Sequence, residues 1–218
     1  MIELPKSFNG KPQVSYSQID LWNSIKGFNT GLPGYYEYVR KYFLNEKYTD
    51  YGWGQFGNEV QEYIQERKCP ECFNDQEKEV LDKIEVFGEP EVEMIIDFDS
   101  FVLLGFKDEE SKDKKLIRDY KTASMSSKQK YFKEDYFQLD VYALHTYKEL
   151  GFIPKIELCI IERGGNAFKG GRKSLTVGTE VWYHTVQTSK DRLKLVENYI
   201  LETVEEISDY YKIFKKFK

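Results

Sequence analysis

Hydrophobic and polar positions change period several times along the chain, and each change marks an element. Apolar residues recur at helical spacing from Ser17 to Ile25, and Ser17 is placed to cap that helix by accepting a backbone N–H. A glycine-rich loop through Gly34 leads to a second predicted helix near Tyr35 to Leu44, and further helices are expected from Trp53 to Arg67 and from Asn74 to Phe87. The period then drops to two. Phe101 to Phe106 is apolar apart from Gly105, Glu109 to Lys115 is polar turn material, and Leu116 to Thr122 resumes strand composition, which together predict a hairpin. A long helix from Gln129 ends at Leu150, with Gly151 suited to its C-terminus. Strands from Lys155 to Arg163 and from Leu175 to Thr185 follow, separated by a Gly164–Gly171 segment expected to be a mobile hairpin loop. A last helix, Ser189 to Phe214, keeps Leu193, Val196, Ile200, Val204, Ile207 and Tyr211 at helical spacing and should dock on the sheet. This order predicts an α/β chain with a central mixed β-sheet flanked by helices, and 218 residues without repeat or linker fit one domain spanning 1–218.

The hairpin is where chemistry concentrates. Side chains alternate along a strand, so Asp119 and Lys121 share one face while Arg118 and Tyr120 take the other. Pairing of the two strands brings Asp108 close to Asp119, which puts two carboxylates and an ammonium on one patch. Two adjacent carboxylates repel, and a divalent cation such as Mg²⁺, which takes oxygen ligands and keeps waters, removes that repulsion. Such an ion polarises a phosphoryl oxygen and lowers the pKa of a bound water, while a neighbouring lysine orients the water or neutralises developing charge. The patch therefore suits hydrolysis of a phosphodiester. An exposed hairpin with a merely solvated Asp-x-Lys triplet satisfies the same local pattern. Glu93 shares a face with Ile95 and Asp97 on the preceding strand and could point into the patch, or could act as an edge charge against aggregation. On the long helix, Gln138 and Tyr142 stand one turn apart on one side.

The order of these motifs resembles the PD-(D/E)XK nuclease superfamily, in particular its RecB-like branch of phage exonucleases and CRISPR-associated nucleases. Gly105-Phe-Lys-Asp108 is similar to the first metal-ligand motif, Asp119-Tyr-Lys-Thr122 to the core motif, and Gln138-Leu-Asp-Val-Tyr142 to the branch's Gln-x-x-x-Tyr helix. Ser15-Tyr-Ser17 resembles the opening Ser-x-Ser helix, so the likeness runs from about residue 14 to about residue 163. It implies a restriction-endonuclease-like core and a Mg²⁺- or Mn²⁺-dependent DNA exonuclease serving recombination, replication or repair, compatible with a phage origin. By the same resemblance Asp108, Asp119 and the backbone carbonyl of Tyr120 would bind metal, and Lys121 would position or activate the attacking water. Glu93 is the further metal candidate, and Gln138, Tyr142, Ser15 and Ser17 would shape the substrate side. The branch usually carries a Gly-x-x-x-His helix; here Gly57-Asn-Glu-Val-Gln61 puts a glutamine in that place, a weaker oxygen ligand, with Glu59 and Glu62 beside it. That departure keeps open a second expectation, a catalytically weak or inactive nuclease-fold module that binds DNA or a protein.

Composition narrows this picture only slightly. A hydrophobic share of 40% with 32% charged residues is that of a folded chain. The 17 Tyr and 15 Phe include rings that could stack on single-stranded bases. The net charge of −5 argues against simple coating of nucleic acid, unless the lysines line an approach to clustered carboxylates. Candidate basic stretches are Lys128 to Lys133, Lys169 to Lys173 and Lys212 to Lys218. No run reaches the roughly 20 apolar residues of a membrane span and no signal peptide is evident, so a cytoplasmic protein with reduced thiols at Cys69, Cys72 and Cys159 is expected. The spacing of Cys69-Pro-Glu-Cys72 supplies half of a zinc site, and no histidine stands where it would complete one. Oligomeric state is not legible.

Overall fold

The computed structural model describes residues 1–27, 32–46, 51–133 and 137–217. In chain order the elements are β1 (Lys6–Phe8), β2 (Lys11–Ser15), α1 (Tyr16–Gly27), α2 (Leu32–Tyr38, continued by a wide turn over Val39–Phe43), α3 (Trp53–Glu66), α4 (Asp75–Leu81) and β3 (Glu89–Asp97). They continue with β4 (Val102–Glu110), β5 (Leu116–Ala123), α5 (Lys128–Lys133), α6 (Phe137–Leu150), β6 (Lys155–Gly165), α7 (Ala167–Gly170), β7 (Leu175–Val186) and α8 (Lys190–Lys216). The strands form one seven-stranded mixed sheet in the order β1-β2-β4-β5-β6-β7, with β3 paired to β4, so the expected central mixed sheet flanked by helices is what forms.

Alternation along the inner strands dictates the layers. Leu103, Ile117, Leu158 and Ile160 pack against Leu139, Val141 and Leu144 of α6 and against Leu193, Val196, Ile200 and Val204 of α8. Tyr120, Cys159 and Ile161 take the opposite face and meet Phe56, Val60, Tyr63 and Ile64 of α3 and Leu81 of α4. Each such side chain contributes about 1.5–3 kcal/mol by leaving water. A third cluster joins Trp22, Tyr38, Phe43 and Ile207, tying α1 and α2 to the end of α8. Among the described residues no helix is long and apolar enough to cross a membrane.

The sheet has one break in regularity that matters. β3 runs antiparallel along all of β4, from Glu89↔Glu110 to Asp97↔Val102. The other edge of β4 is divided. β2 pairs with it in parallel over Val102 to Leu104, while β5 pairs with it only at Glu109↔Arg118 and Glu110↔Ile117. Gly105 to Asp108 therefore have no strand partner on that side, and the sheet forks. β5 instead spends its length on a parallel ladder with β6, from Leu116↔Lys155 to Ala123↔Glu162.

Several boundaries differ from the sequence expectation, each for a physical reason. Glu109 and Glu110 are not turn residues: they end β4 and are 0% and 4% exposed, and the turn is Ser111 to Lys115. Their charges are compensated inside. The Glu109 carboxylate accepts hydrogen bonds from Phe87 N (2.5 Å), Gly88 N (2.8 Å) and the Tyr120 hydroxyl (2.6 Å), and lies 3.6 Å from Arg118. Arg118 in turn donates to Glu157, and Glu110 is held by Lys107, which also donates to Thr146. The fourth helix stops at Leu81, since Lys83 and Ile84 close three-residue turns onto Val80 and Leu81 and the chain beyond is drawn to Glu109. At the first helix the cap is Ser15, not Ser17: Ser15 Oγ accepts from Gln18 N (3.3 Å) and the Gln18 side chain accepts from Ser15 N (2.8 Å). β2 runs straight into that helix. The β1–β2 hairpin ahead of it, missed in the pattern, turns on Asn9-Gly10, both with positive φ (50° and 80°). The long helix is present as α5 and α6, with residues 134–136 outside the described set. The glycine-rich segment is the expected hairpin connection, joining β6 to β7 at Gly165↔Leu175, and it is folded on itself: the Asn166 side chain accepts from Phe168 N and Ser174 Oγ donates to Asn166 O (2.7 Å).

Replacing Arg118 by Met should strand the fully buried Glu109 charge beside an apolar side chain. We expect a loss of about 3–5 kcal/mol, the usual cost of breaking a buried pair, read by denaturant unfolding. An unchanged midpoint would mean that Glu109 is compensated by its backbone and phenol donors alone.

Candidate active site

Asp108 closes the unpaired stretch of β4. Its Oδ2 accepts the Tyr120 N–H at 2.8 Å, so a side chain takes the ladder position that a carbonyl would otherwise fill. The β3–β4 ladder skips the pair Glu91–Asp108, and Glu91 has φ 50°, a local irregularity that re-aims Asp108. Across the fork, Asp119 is 0% exposed. The Lys121 ammonium is ion-paired to Asp119 Oδ2 at 2.5 Å, and among the described residues no other donor reaches either Asp119 oxygen.

The electrostatics follow from this crowding. Burial, and then the Asp119 charge, push the Asp108 carboxyl up to about 8, against the pull of Lys121 and the Tyr120 N–H; Glu91 adds to the rise. Burial opposes the Lys121 ammonium, but Asp119 and Asp108 outweigh it and raise its pKa. One buried and one half-buried carboxylate thus face a single ammonium, with hard oxygen atoms to spare. That donor set fits a divalent cation such as Mg²⁺ or Mn²⁺. On α6 the Gln138 side chain donates to the Tyr142 hydroxyl at 2.5 Å. Burial raises the Tyr142 phenol well above its ordinary value, and the charges of Asp119 and Asp108 add to this, so the Tyr142 phenol lies within the field of the carboxylates.

From the other face α3 reaches the same place. The Gln65 amide donates to the Asp108 carbonyl oxygen, and the Gln61 amide donates to Glu91 Oε1, both at 2.5 Å. Gly57, Gln61, Asp108, Tyr120, Lys121, Thr122 and Tyr131 line a cleft of about 350 Å³. Of the residues flanking Gln61, Glu59 is ion-paired to Arg172 and Glu62 is exposed. Tyr120 turns its phenol away to Glu109 and gives the cleft its backbone. Glu93 is elsewhere: it lines a separate cleft with Glu110, His145 and Lys148. Glu91, two residues earlier, is the acidic group of β3 that Asp108 senses. Ser15 and Ser17 bond each other (3.0 Å) and Ser17 accepts from Tyr42 (3.3 Å); the residue between them, Tyr16, is the one whose hydroxyl feels Asp119.

Three nearby residues escaped sequence reasoning. Gln65 stands one turn beyond Gln61 on the same helix face, a spacing visible in the sequence. Glu91 gives no local signal, because its role depends on a positive φ. Tyr16 sits between the two serines that drew attention. The sulfur atoms of Cys69 and Cys72 are joined, with Cα atoms 5.5 Å apart, where reduced thiols were expected; the tight turn over Pro70 brings them together. Cys159 is free and buried.

No family model and no curated protein match this sequence. Among solved structures, the fold is similar to that of a protein described as "Putative exonuclease" from Eubacterium rectale. The TM-score is 0.53 at 13% identity, over 90% of this chain and 85% of that one. At this identity the likeness is one of fold.

The raised Asp108 pKa carries a sign. Its ordinary value is 3.8, so between about pH 4 and pH 8 the folded state binds more protons than the unfolded one, and stability falls as pH rises through that window. In chelator, the melting temperature of the wild type relative to Asp108→Asn should decline from pH 4 to pH 8 and level off above it. Parallel curves for the two proteins would show that Asp108 ionises as a free carboxyl does.

Proposed function

We propose that the chain is a metal-dependent deoxyribonuclease that hydrolyses phosphodiester bonds from strand ends, as an exonuclease of recombination, replication or repair. The observation that carries this reading is the buried Asp119 carboxylate, whose one partner among the described residues is the Lys121 ammonium, facing Asp108 across a fork in the sheet. Burying charge costs stability even when it is paired, and a purely structural hairpin gains little from a second carboxylate crowded against an Asp–Lys pair. The fold likeness to a protein described as an exonuclease points the same way.

Asp108 and Asp119 would hold a Mg²⁺ or Mn²⁺ ion, which supplies charge neutralisation at the phosphate and a bound water of lowered pKa. The residues of the chain then have separate tasks. Lys121, kept protonated by the two carboxylates, orients the attacking water and offsets charge on the phosphoryl oxygens. Gln138 sets the Tyr142 hydroxyl by donating to it, leaving the phenol proton for a substrate oxygen. Gln65 anchors the Asp108 backbone. One observation favours the second reading, a module that binds without cutting: Gln61 spends its amide on Glu91 where the branch it resembles has a histidine ligand.

End-labelled linear DNA and closed circles, each single- and double-stranded, incubated with Mg²⁺ or Mn²⁺ should separate these readings. We expect degradation of linear DNA only, reduced at least about 100-fold in Lys121→Ala. Cutting of circles would make the protein an endonuclease. Intact DNA in every lane, with Mn²⁺ binding absent by calorimetry, would leave the binding module.

A further inference from the structure

Trp53, Gly57 and Gln61 recur every four residues along α3 and so form one stripe. Gly57 and Gln61 line the carboxylate cleft, and Trp53 is the next position outward. On the sheet, Ile161 of β6 lines the same cleft and Arg163 follows two residues on. These two outward positions meet: the Arg163 guanidinium lies 4.1 Å from the centre of the Trp53 ring. Phe168 and Tyr51 extend the patch, with ring centroids 5.4 Å apart and Phe168 6.0 Å from Trp53. Phe168 is 72% exposed and Tyr51 55%, so both rings stand largely in water.

The charge at this patch is unmatched. Arg172, nearby, is ion-paired to Glu59, and Arg118 lies between Glu109 and Glu157. Arg163 is half-buried, and among the described residues no carboxylate pairs with it; burial lowers its pKa, with the Tyr131 phenol opposing. A guanidinium stacked on indole and lacking a counter-ion matches a phosphate, and the exposed Lys169 and Lys173 add to the field. Between patch and carboxylates stands Gly57. A Cβ there would meet nothing within 4 Å, so the position is open space, kept clear at a cost of about 1 kcal/mol of helix propensity.

We propose that Tyr51, Trp53, Arg163 and Phe168 form a platform that takes the unpaired end of a DNA strand. Bases stack on the exposed rings, Arg163 binds a phosphate, and the strand runs past Gly57 to Asp108 and Asp119. The proposal rests on the nuclease reading and adds the form of its substrate. Ring faces select a single strand, because stacked duplex bases offer only edges and phosphates, whereas every unpaired base has a free face.

Fluorescence anisotropy in chelator, with labelled oligothymidine and with a blunt hairpin duplex, tests this without cleavage. Wild type should prefer the single strand and its tryptophan emission should be quenched. Phe168→Ala and Tyr51→Ala, both at exposed positions, should each weaken single-strand binding about tenfold, the loss of one stacked base, and leave duplex binding unchanged. Arg163→Gln should lower the salt slope of binding by about one phosphate contact, and Arg163→Lys should restore the slope. Gly57→Leu should obstruct the path of the strand and cleave the oligonucleotide poorly when metal is added. No single-strand binding, or an equal effect of Phe168→Ala on both DNAs, overturns the platform. Cleavage that persists in that case spares the nuclease reading. Phe168-dependent binding without any cleavage by wild type in Mg²⁺ or Mn²⁺ keeps the platform as a binding site and removes the nuclease reading.

Discussion

β4 cannot pair along the whole of its second edge, because β2 occupies Val102 to Leu104 while β5 reaches only Glu109 and Glu110. Everything of chemical interest depends on that divided edge. A continuous ladder would satisfy the Tyr120 N–H with a backbone carbonyl and turn Asp108 to one face of a closed sheet. The fork instead lets the Asp108 carboxylate accept that N–H. It also opens the middle of the sheet to α3 on one side and α6 on the other. Gly105 lies in the unpaired stretch, where a Cβ would come within 2.9 Å of the Met94 methyl.

The same short hairpin holds two kinds of acidic group, and their surroundings separate them. Glu109 is buried with three hydrogen bonds and the Arg118 guanidinium close by. It is a structural charge, fully answered. Asp119, equally buried, has only the Lys121 contact among the described residues, and burial together with the Asp119 charge raises the pKa of its neighbour Asp108. Low-dielectric surroundings make both arrangements strong, one as a lock and the other as an unmet demand for positive charge. The lock secures the two-residue ladder that keeps the demanding pair together, so stability and chemistry are built from adjacent residues facing opposite ways.

Sequence periodicity located most helices and strands, since an apolar stripe at 3.6 or 2 residues is a property of the chain itself. It misjudged Glu109 and Glu110, because a charged run looks like a turn unless the groups that answer its charges are known. Arg118, Lys107 and the backbone of Phe87 and Gly88 are those partners. It also passed over β1 and β2, although Asn9-Gly10 is a recognisable hairpin turn.

At the site, Asp108, Asp119, Lys121, Gln138 and Tyr142 were all legible in the sequence, because alternation on a strand and one-turn spacing on a helix fix which side chains share a face. Whether those faces meet is not a local property. Only the tertiary structure decided that the two carboxylates sit at a fork, Asp119 buried and Asp108 half-buried, and that Glu91 rather than Glu93 stands near them. It also decided that Arg163 rests on Trp53 beside Phe168, residues more than a hundred positions apart from Trp53 in the chain. Burial and long-range charge pairing arise from packing between elements, and no window along the sequence contains them.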